Sequence, residues 1–348
     1  MPTRILATVT AVLGLWPWLC PGALASESLR VDAQSGTCSD TAGAPYCGIQ
    51  AAIDRAPPGA TVEIAAGVYE LWGESLSIDK SLTLKGAGAD RTILDGNGRH
   101  PGPLISIADT AADVAIRALT LRNRMRIVSA AAGAGGIDHF GQRLTIANTT
   151  IHGNLGGMGG ALHGGTDFGS VILENVTLTE NDALVGGAID FRDAPDAQLE
   201  ITGSSILNNS AIFTGGGVFV RDVGTVTLTN VTLRGNKGGN RGGGIFLVSQ
   251  NEAGHMELRD SKITGNWSKG GGGIDTNGDE IEIRLKNVVL AGNSSQSNPA
   301  GSDCRAESEN AFVSLGGNLI GNGDGCRFQP AEGDTVGTTT SPIRPRTP

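Results

Sequence analysis

The stretch from Val226 to Leu247, VTLTNVTLRGNKGGNRGGGIFL, returns with small changes as VILENVTLTENDALVGGAIDF, LTIANTTIHGNLGGMGGALH and MELRDSKITGNWSKGGGGIDT. An asparagine marks each copy, at Asn154, Asn181, Asn209, Asn236, Asn266 and Asn293, spaced by 27, 28, 27, 30 and 27 residues. A period of this length held over many copies means a solenoid, in which neighbouring repeats complete each other's core. Six residues before each asparagine stands a second column, Asn148, Asn175, Gly203, Asn230, Asp260 and Asn287. Both columns hold residue types that tolerate the left-handed backbone of tight bends, so both are expected to turn corners. Between them runs an apolar column, Ile151, Leu178, Ile206, Leu233, Ile263 and Leu290, and each repeat ends in paired glycines such as Gly186-Gly187 and Gly243-Gly244.

The segments between corners alternate apolar and polar, as in VTLTNVTL, which puts Val226 and Leu228 on one face and the threonines on the other. A leucine-rich repeat would be shorter and a propeller blade longer, and a helical repeat would be broken by the glycine pairs. What remains is a parallel β-helix with one coil per repeat. A solenoid needs caps, because a bare end coil exposes core and strand edges. At the front, CGIQAAIDRA sets Ile49, Ala52, Ile53 and Ala56 on one helical face, and Pro57-Pro58 ends that helix. The expected organisation is a signal peptide over 1–25, a cap with a short helix over 26–60, the β-helix over 61–326, and an extended or disordered Thr/Pro-rich tail over 327–348.

The signal peptide rests on Arg4, the apolar run Ile5 to Leu19, and Ala23-Leu24-Ala25 as a small-x-small cleavage site before Ser26. The run is too short, and too interrupted by Trp and Pro, to span a membrane. A secreted chain with no transmembrane segment in its mature part is expected. Four cysteines stay in that part, Cys38, Cys47, Cys304 and Cys326, and proximity favours the pairs Cys38–Cys47 and Cys304–Cys326. The net charge of −9 argues against nucleic acid and anionic membranes as partners. It also disfavours a strongly anionic polysaccharide unless a local basic patch overrides it.

The segment TVEIAAGVYE … LTLKGAGADRTILDG, after the helix, resembles the start of pectate-lyase-like right-handed parallel β-helix proteins. Pairs such as GGAI at 186–189 and LTEN at 178–181 resemble the GGAI/FxxN repeats of chlamydial-type polymorphic outer-membrane proteins, with Leu or Ile in place of Phe. The ending GGNLIGNGDGC resembles that of bacterial surface β-helix proteins. The resemblance covers most of residues 30–326. It implies an all-β fold, a right-handed parallel β-helix solenoid with a short N-terminal capping helix. The superfamily spans lyases, hydrolases, epimerases and non-catalytic adhesins, so no single activity follows from it.

Known β-helix enzymes act on the outer face of one sheet, where residues of successive coils align. The position after each Gly-Gly-x-Ile unit forms such a column: Asp138, His163, Asp190, Phe219, Phe246 and Asp275. Asp138, His163 and Asp190 are the candidate catalytic residues, at steps of about 4.8 Å. Their two carboxylates would stand about 10 Å apart, at or just beyond the separation in an inverting glycosidase. Phe219 and Phe246 are candidate sugar-packing surfaces. Arg192 and Arg221, two places further along, are candidates for neutralising a substrate carboxylate. The bland reading of all seven is an outward row of polar and aromatic residues with solvated arginines. The polygalacturonase pattern that combines clustered aspartates with a Gly-His-Gly and an Arg-x-Lys is absent.

No metal site is expected. GGGGID at 270–275 matches one unit of the calcium-binding GGxGxDxUx repeat, which makes Ca²⁺ the one cofactor worth testing. Asn277 stands where that unit wants a large apolar residue, and no second unit follows. The expected function is therefore a non-catalytic, adhesin-like surface for a polysaccharide or cell-surface glycan. The alternative is a polysaccharide lyase, hydrolase or epimerase acting around residues 138–221.

Overall fold

The computed structural model describes residues 27–41, 45–98, 102–123, 133–166 and 168–344. The segment read as a signal peptide lies outside them, as do 124–132 and 345–348. Among the described residues no helix is long and apolar enough to cross a membrane.

The repeats wind into three parallel sheets. In the coil that starts at Leu162, strands Leu162–Gly164 and Ser170–Glu174 join an 18-stranded sheet, Thr177–Thr179 an 11-stranded sheet, and Asp182–Val185 a 6-stranded sheet. The long sheet carries two series of strands side by side. They fuse into single long strands, Ile189–Thr202 and Val218–Thr229, where no loop separates them. Register is one residue to one residue, as in Ile151↔Leu178↔Ile206↔Leu233↔Ile263↔Leu290. Every member of that column is buried, as alternation requires of the inward face. Each such side chain contributes roughly 1.5–3 kcal/mol as an upper estimate.

The corners depart from expectation in one respect. Asn148, Asn175, Asn230, Asp260 and Asn287 do adopt the left-handed region, at φ between 50° and 55°, and Gly203 joins them at 59°. At the next corner the left-handed residue comes one place before the repeating asparagine, at Gly153, Glu180, Asn208, Gly235, Gly265 and Gly292. The asparagines themselves turn inward. Asn181 Nδ2 donates to Asn209 Oδ1 at 3.0 Å and to the Ile151 carbonyl at 3.0 Å, and Asn209 repeats this with Asn236 and Leu178. The chain of amides runs on through Asn266 to Asn293, which donates to the Asp303 carboxylate at 2.9 Å. A buried backbone corner needs partners, and the stacked amides supply them.

The ends are also broader than expected. The first strand, Ser28–Val31, precedes the helix and pairs with Ala60–Ile64. Helix Ile49–Arg55 covers the open core with Ile49, Ala52 and Ile53, and its end at Ala56 is extended, as a residue before proline must be. At the other end Thr335–Val336 adds a strand beside Leu319–Ile320, so the sheet continues past 326, where a tail was expected. Both expected disulfides form, Cys38–Cys47 and Cys304–Cys326.

Candidate functional site

The column after each glycine pair is in register, Asp138↔His163↔Asp190↔Phe219↔Phe246↔Asp275↔Arg305. Ile137, Leu162 and Ile189 before it face the core, so its side chains stand on the outside of the long sheet. They are nevertheless covered. Asp190 and Asp275 are 0% exposed, and Phe219 and Phe246 only 6% and 5%. The cover comes from the glycine corner that precedes each strand. Gly186 turns at φ 63°, and a Cβ there would run into Asp190, while Gly215 and Gly242 stand in the same relation to Phe219 and Phe246. An open polar row was expected, and a roofed one is found.

Under this roof the candidates are paired. Asp138 Oδ1 accepts the Ala134 N–H at 2.6 Å and lies 3.2 Å from His163 Nδ1. Asp190 is held by Arg192 through both carboxylate oxygens, with Nε to Oδ1 at 2.7 Å. Burial pushes the Asp190 carboxyl up, and the hydrogen bond and charge of Arg192 pull against it. Arg221 reaches back one coil to Asp193, at 2.9 Å from Nε to Oδ1, and that hydrogen bond raises its pKa. The two arginines read as candidates for a substrate carboxylate, or else as solvated, are thus both engaged in ion pairs within the chain.

The phenylalanines are not a flat surface open to a sugar. Phe219 and Phe246 pack at 5.8 Å with Val248 and Val185 in a small apolar cluster outside the solenoid. Arg192 lies 5.0 Å over the Phe219 ring and Arg241 4.8 Å over the Phe246 ring. Asp275, the one carboxylate of the calcium-like unit, is taken up by Arg241 at 2.9 Å and by the Gly271 N–H at 2.9 Å. Among the described residues no group of three or more His, Cys, Asp or Glu side chains is placed to hold a metal ion.

What sequence reasoning missed is Phe140. Its ring is 39% exposed and sits edge-on to His163, 6.2 Å between centroids. With Asp109, Gln142 and Thr166 it lines an open groove of about 580 Å³ beside the Asp138–His163 pair. The signal was present: Phe140 stands two places after Asp138, as Arg192 does after Asp190 and Arg221 after Phe219.

The family model described as a right-handed β-helix region matches residues 105–288, more than half of the chain. The chain belongs to the right-handed β-helix family. No curated protein matches it in sequence. Among solved structures, this right-handed β-helix is similar to the pectate lyase Pel9A, at 14% identity and TM-score 0.49, over 89% of this chain and 78% of that one. It is similar to the A-module of the mannuronan C-5 epimerase AlgE4 of Azotobacter vinelandii, at 17% identity and TM-score 0.45, over 86% and 93%. A pectin methylesterase in complex with a hexasaccharide is similar at 14% identity and TM-score 0.35, over 91% and 84%. Likeness at this level speaks to the winding of the chain, and the site has to be read from its own residues.

Proposed function

We propose that the protein is a secreted, extracellular β-helix that binds a glycan at the groove beside Phe140 and His163 without chemically altering it. The observation that carries this reading is the state of Asp190. A glycosidase needs two carboxylates that substrate and water can reach. Asp190 is fully buried and its two oxygens are held by Arg192, so the spaced pair Asp138/Asp190 has one inaccessible member. What stays open beside Asp138 is an exposed aromatic ring flanked by the side chains of Asp109, Gln142 and Thr166, the mixture of flat apolar surface and hydrogen-bonding groups that suits a sugar. The two disulfides support an oxidising, extracellular location.

A lyase, hydrolase or epimerase is the second reading, and one contact favours it. Asp138 and His163 at 3.2 Å form the base-and-orienter pair that proton abstraction uses. Incubating the protein with acidic and neutral polysaccharides, with and without Ca²⁺, and following product size by mass spectrometry and sugar configuration by proton NMR separates the two. Intact polymers are expected throughout, together with retardation of at least one polymer in affinity gels that Phe140→Ala abolishes. New oligosaccharides, or a changed sugar configuration, that disappear in Asp138→Asn would replace the binding reading with the enzymatic one.

A further inference from the structure

A second hollow follows the Phe140 groove along the same two coils. Strands Leu82–Gly86, Val114–Arg117 and Arg143–Ala147 pair in the register Thr83↔Ala115↔Thr145. Leu84, Ile116 and Ile146 are fully buried in the core, so Thr83, Ala115 and Thr145 face outward. The small Ala115 between two threonines leaves a depression of about 300 Å³, bordered also by Ser81, Asp113, Arg117 and Arg143. Gln142 and Asp109 line the first groove, and Arg143 and Asp113 the second, so the two are neighbours.

The two arginines distinguish this hollow. Arg117 is two residues beyond Ala115 and Arg143 two before Thr145, so they flank the floor diagonally, about 14 Å apart at Cα from the strand rise and spacing. Both side chains border the hollow. Both are exposed, and among the described residues neither has an ion-pair or hydrogen-bond partner for its side chain. Arg122, Arg192, Arg221 and Arg241 are all matched to carboxylates. In a chain of net charge −9, two unmatched cations around one concavity form the local basic patch that overall acidity had argued against. The Asp113 carboxylate on the rim leaves one net positive charge and offers an acceptor for a sugar hydroxyl.

We infer that this hollow is a subsite for the oxyanion of an acidic sugar residue, a uronate carboxylate or a sulfate ester, in a glycan that continues over Phe140. The inference rests on the glycan-binding reading above. Arginine forks match such oxyanions, and the threonine hydroxyls and Ser81 supply further hydrogen bonds.

The test is titration calorimetry of the full protein with three hexamers: galacturonate, a sulfated galactan and the uncharged galactan. At least one acidic hexamer is expected to bind about tenfold or more tightly than the uncharged one, and less tightly as salt is raised. The double variant R117Q/R143Q should bring that hexamer to within roughly twofold of the uncharged one. R55Q/R234Q, which removes two exposed arginines elsewhere, should change nothing. The hexamer whose affinity R117Q/R143Q reduces identifies the oxyanion as carboxylate or sulfate. Equal affinity for all three hexamers, or an R117Q/R143Q variant that binds like wild type, overturns the subsite. If F140A abolishes binding and R117Q/R143Q leaves the preference for the acidic hexamer intact, the groove stands and the hollow falls. The reverse result keeps the hollow and removes Phe140, and no binding of any hexamer overturns both.

Discussion

At the scale of single residues, His139 is a fully buried titratable group. It faces the core between Ile107 and Gly164, edge-on to Phe168 at 6.0 Å, and neither ring nitrogen has a partner. Burial lowers its pKa from 6.5 to about 4. The unfolded chain therefore takes up this proton first as pH falls. Stability is fullest above pH 6.5, declines between 6.5 and about 4, and loses no more from this group below that. The drop corresponds to about 3 kcal/mol. Urea unfolding of wild type and His139→Leu at pH 7.5 and pH 4 should show wild type losing that much more than the variant. Asp190 answers a different question. Removing it leaves Arg192 unpaired at only 19% exposure, so Asp190→Ala should cost on the order of 3 kcal/mol of stability. Under the binding reading its loss of function would track its loss of fold, and a well-folded variant with no glycan binding would contradict that.

At the scale of the element, the two asparagine columns do different work and predict different costs. Asn209 accepts from both the backbone and side chain of Asn181 and donates to Asn236 and the Leu178 carbonyl. Asn209→Ala strands several buried groups at once and should cost on the order of 3–5 kcal/mol. Asn230 is an exposed corner at φ 55°. Asn230→Ala should cost only about 1–2 kcal/mol of backbone strain, and Asn230→Gly close to nothing. Chemical denaturation of the three variants checks the contrast, and equal costs at Asn209 and Asn230 would sink the distinction. Both columns are visible in the sequence as asparagines at one period. Period alone does not say which column turns the chain and which bonds inside the turn, because both uses favour a short amide side chain.

At the scale of the whole molecule, a solenoid is as stable as its contacts between neighbouring coils, and its last coil depends on what covers it. Ile320 is fully buried at that end, beneath strand Thr335–Val336. The Asp334 carboxylate accepts the Asn318 N–H at 2.8 Å and its Nδ2 at 3.0 Å. Ending the chain after Cys326 should therefore lower the thermal midpoint and increase binding of a hydrophobic dye, although the disulfide Cys304–Cys326 remains. Unchanged melting would show that the segment is a tail after all.

The repeat period and the alternation within VTLTNVTL were enough to derive the parallel coil and the inward columns, the apolar face of CGIQAAIDRA gave the capping helix, and the proximity of the cysteines favoured both disulfides. Backbone hydrogen bonding is indifferent to side chains, so one-to-one register follows wherever strands of successive repeats match, the extra residues of the longer repeats falling outside those strands, and facing follows from the pleat. The same reasoning aligned Asp138, His163 and Asp190 correctly. It could not see that a glycine corner folds over that row, that Arg192 and Arg241 lie across the phenylalanines, or that Arg117 and Arg143 border one hollow with Ala115. Exposure and ion pairing depend on segments that a strand does not touch in sequence. Alternation names the face of a sheet, and only the packed coil decides whether that face meets water, a guanidinium or another turn of the chain.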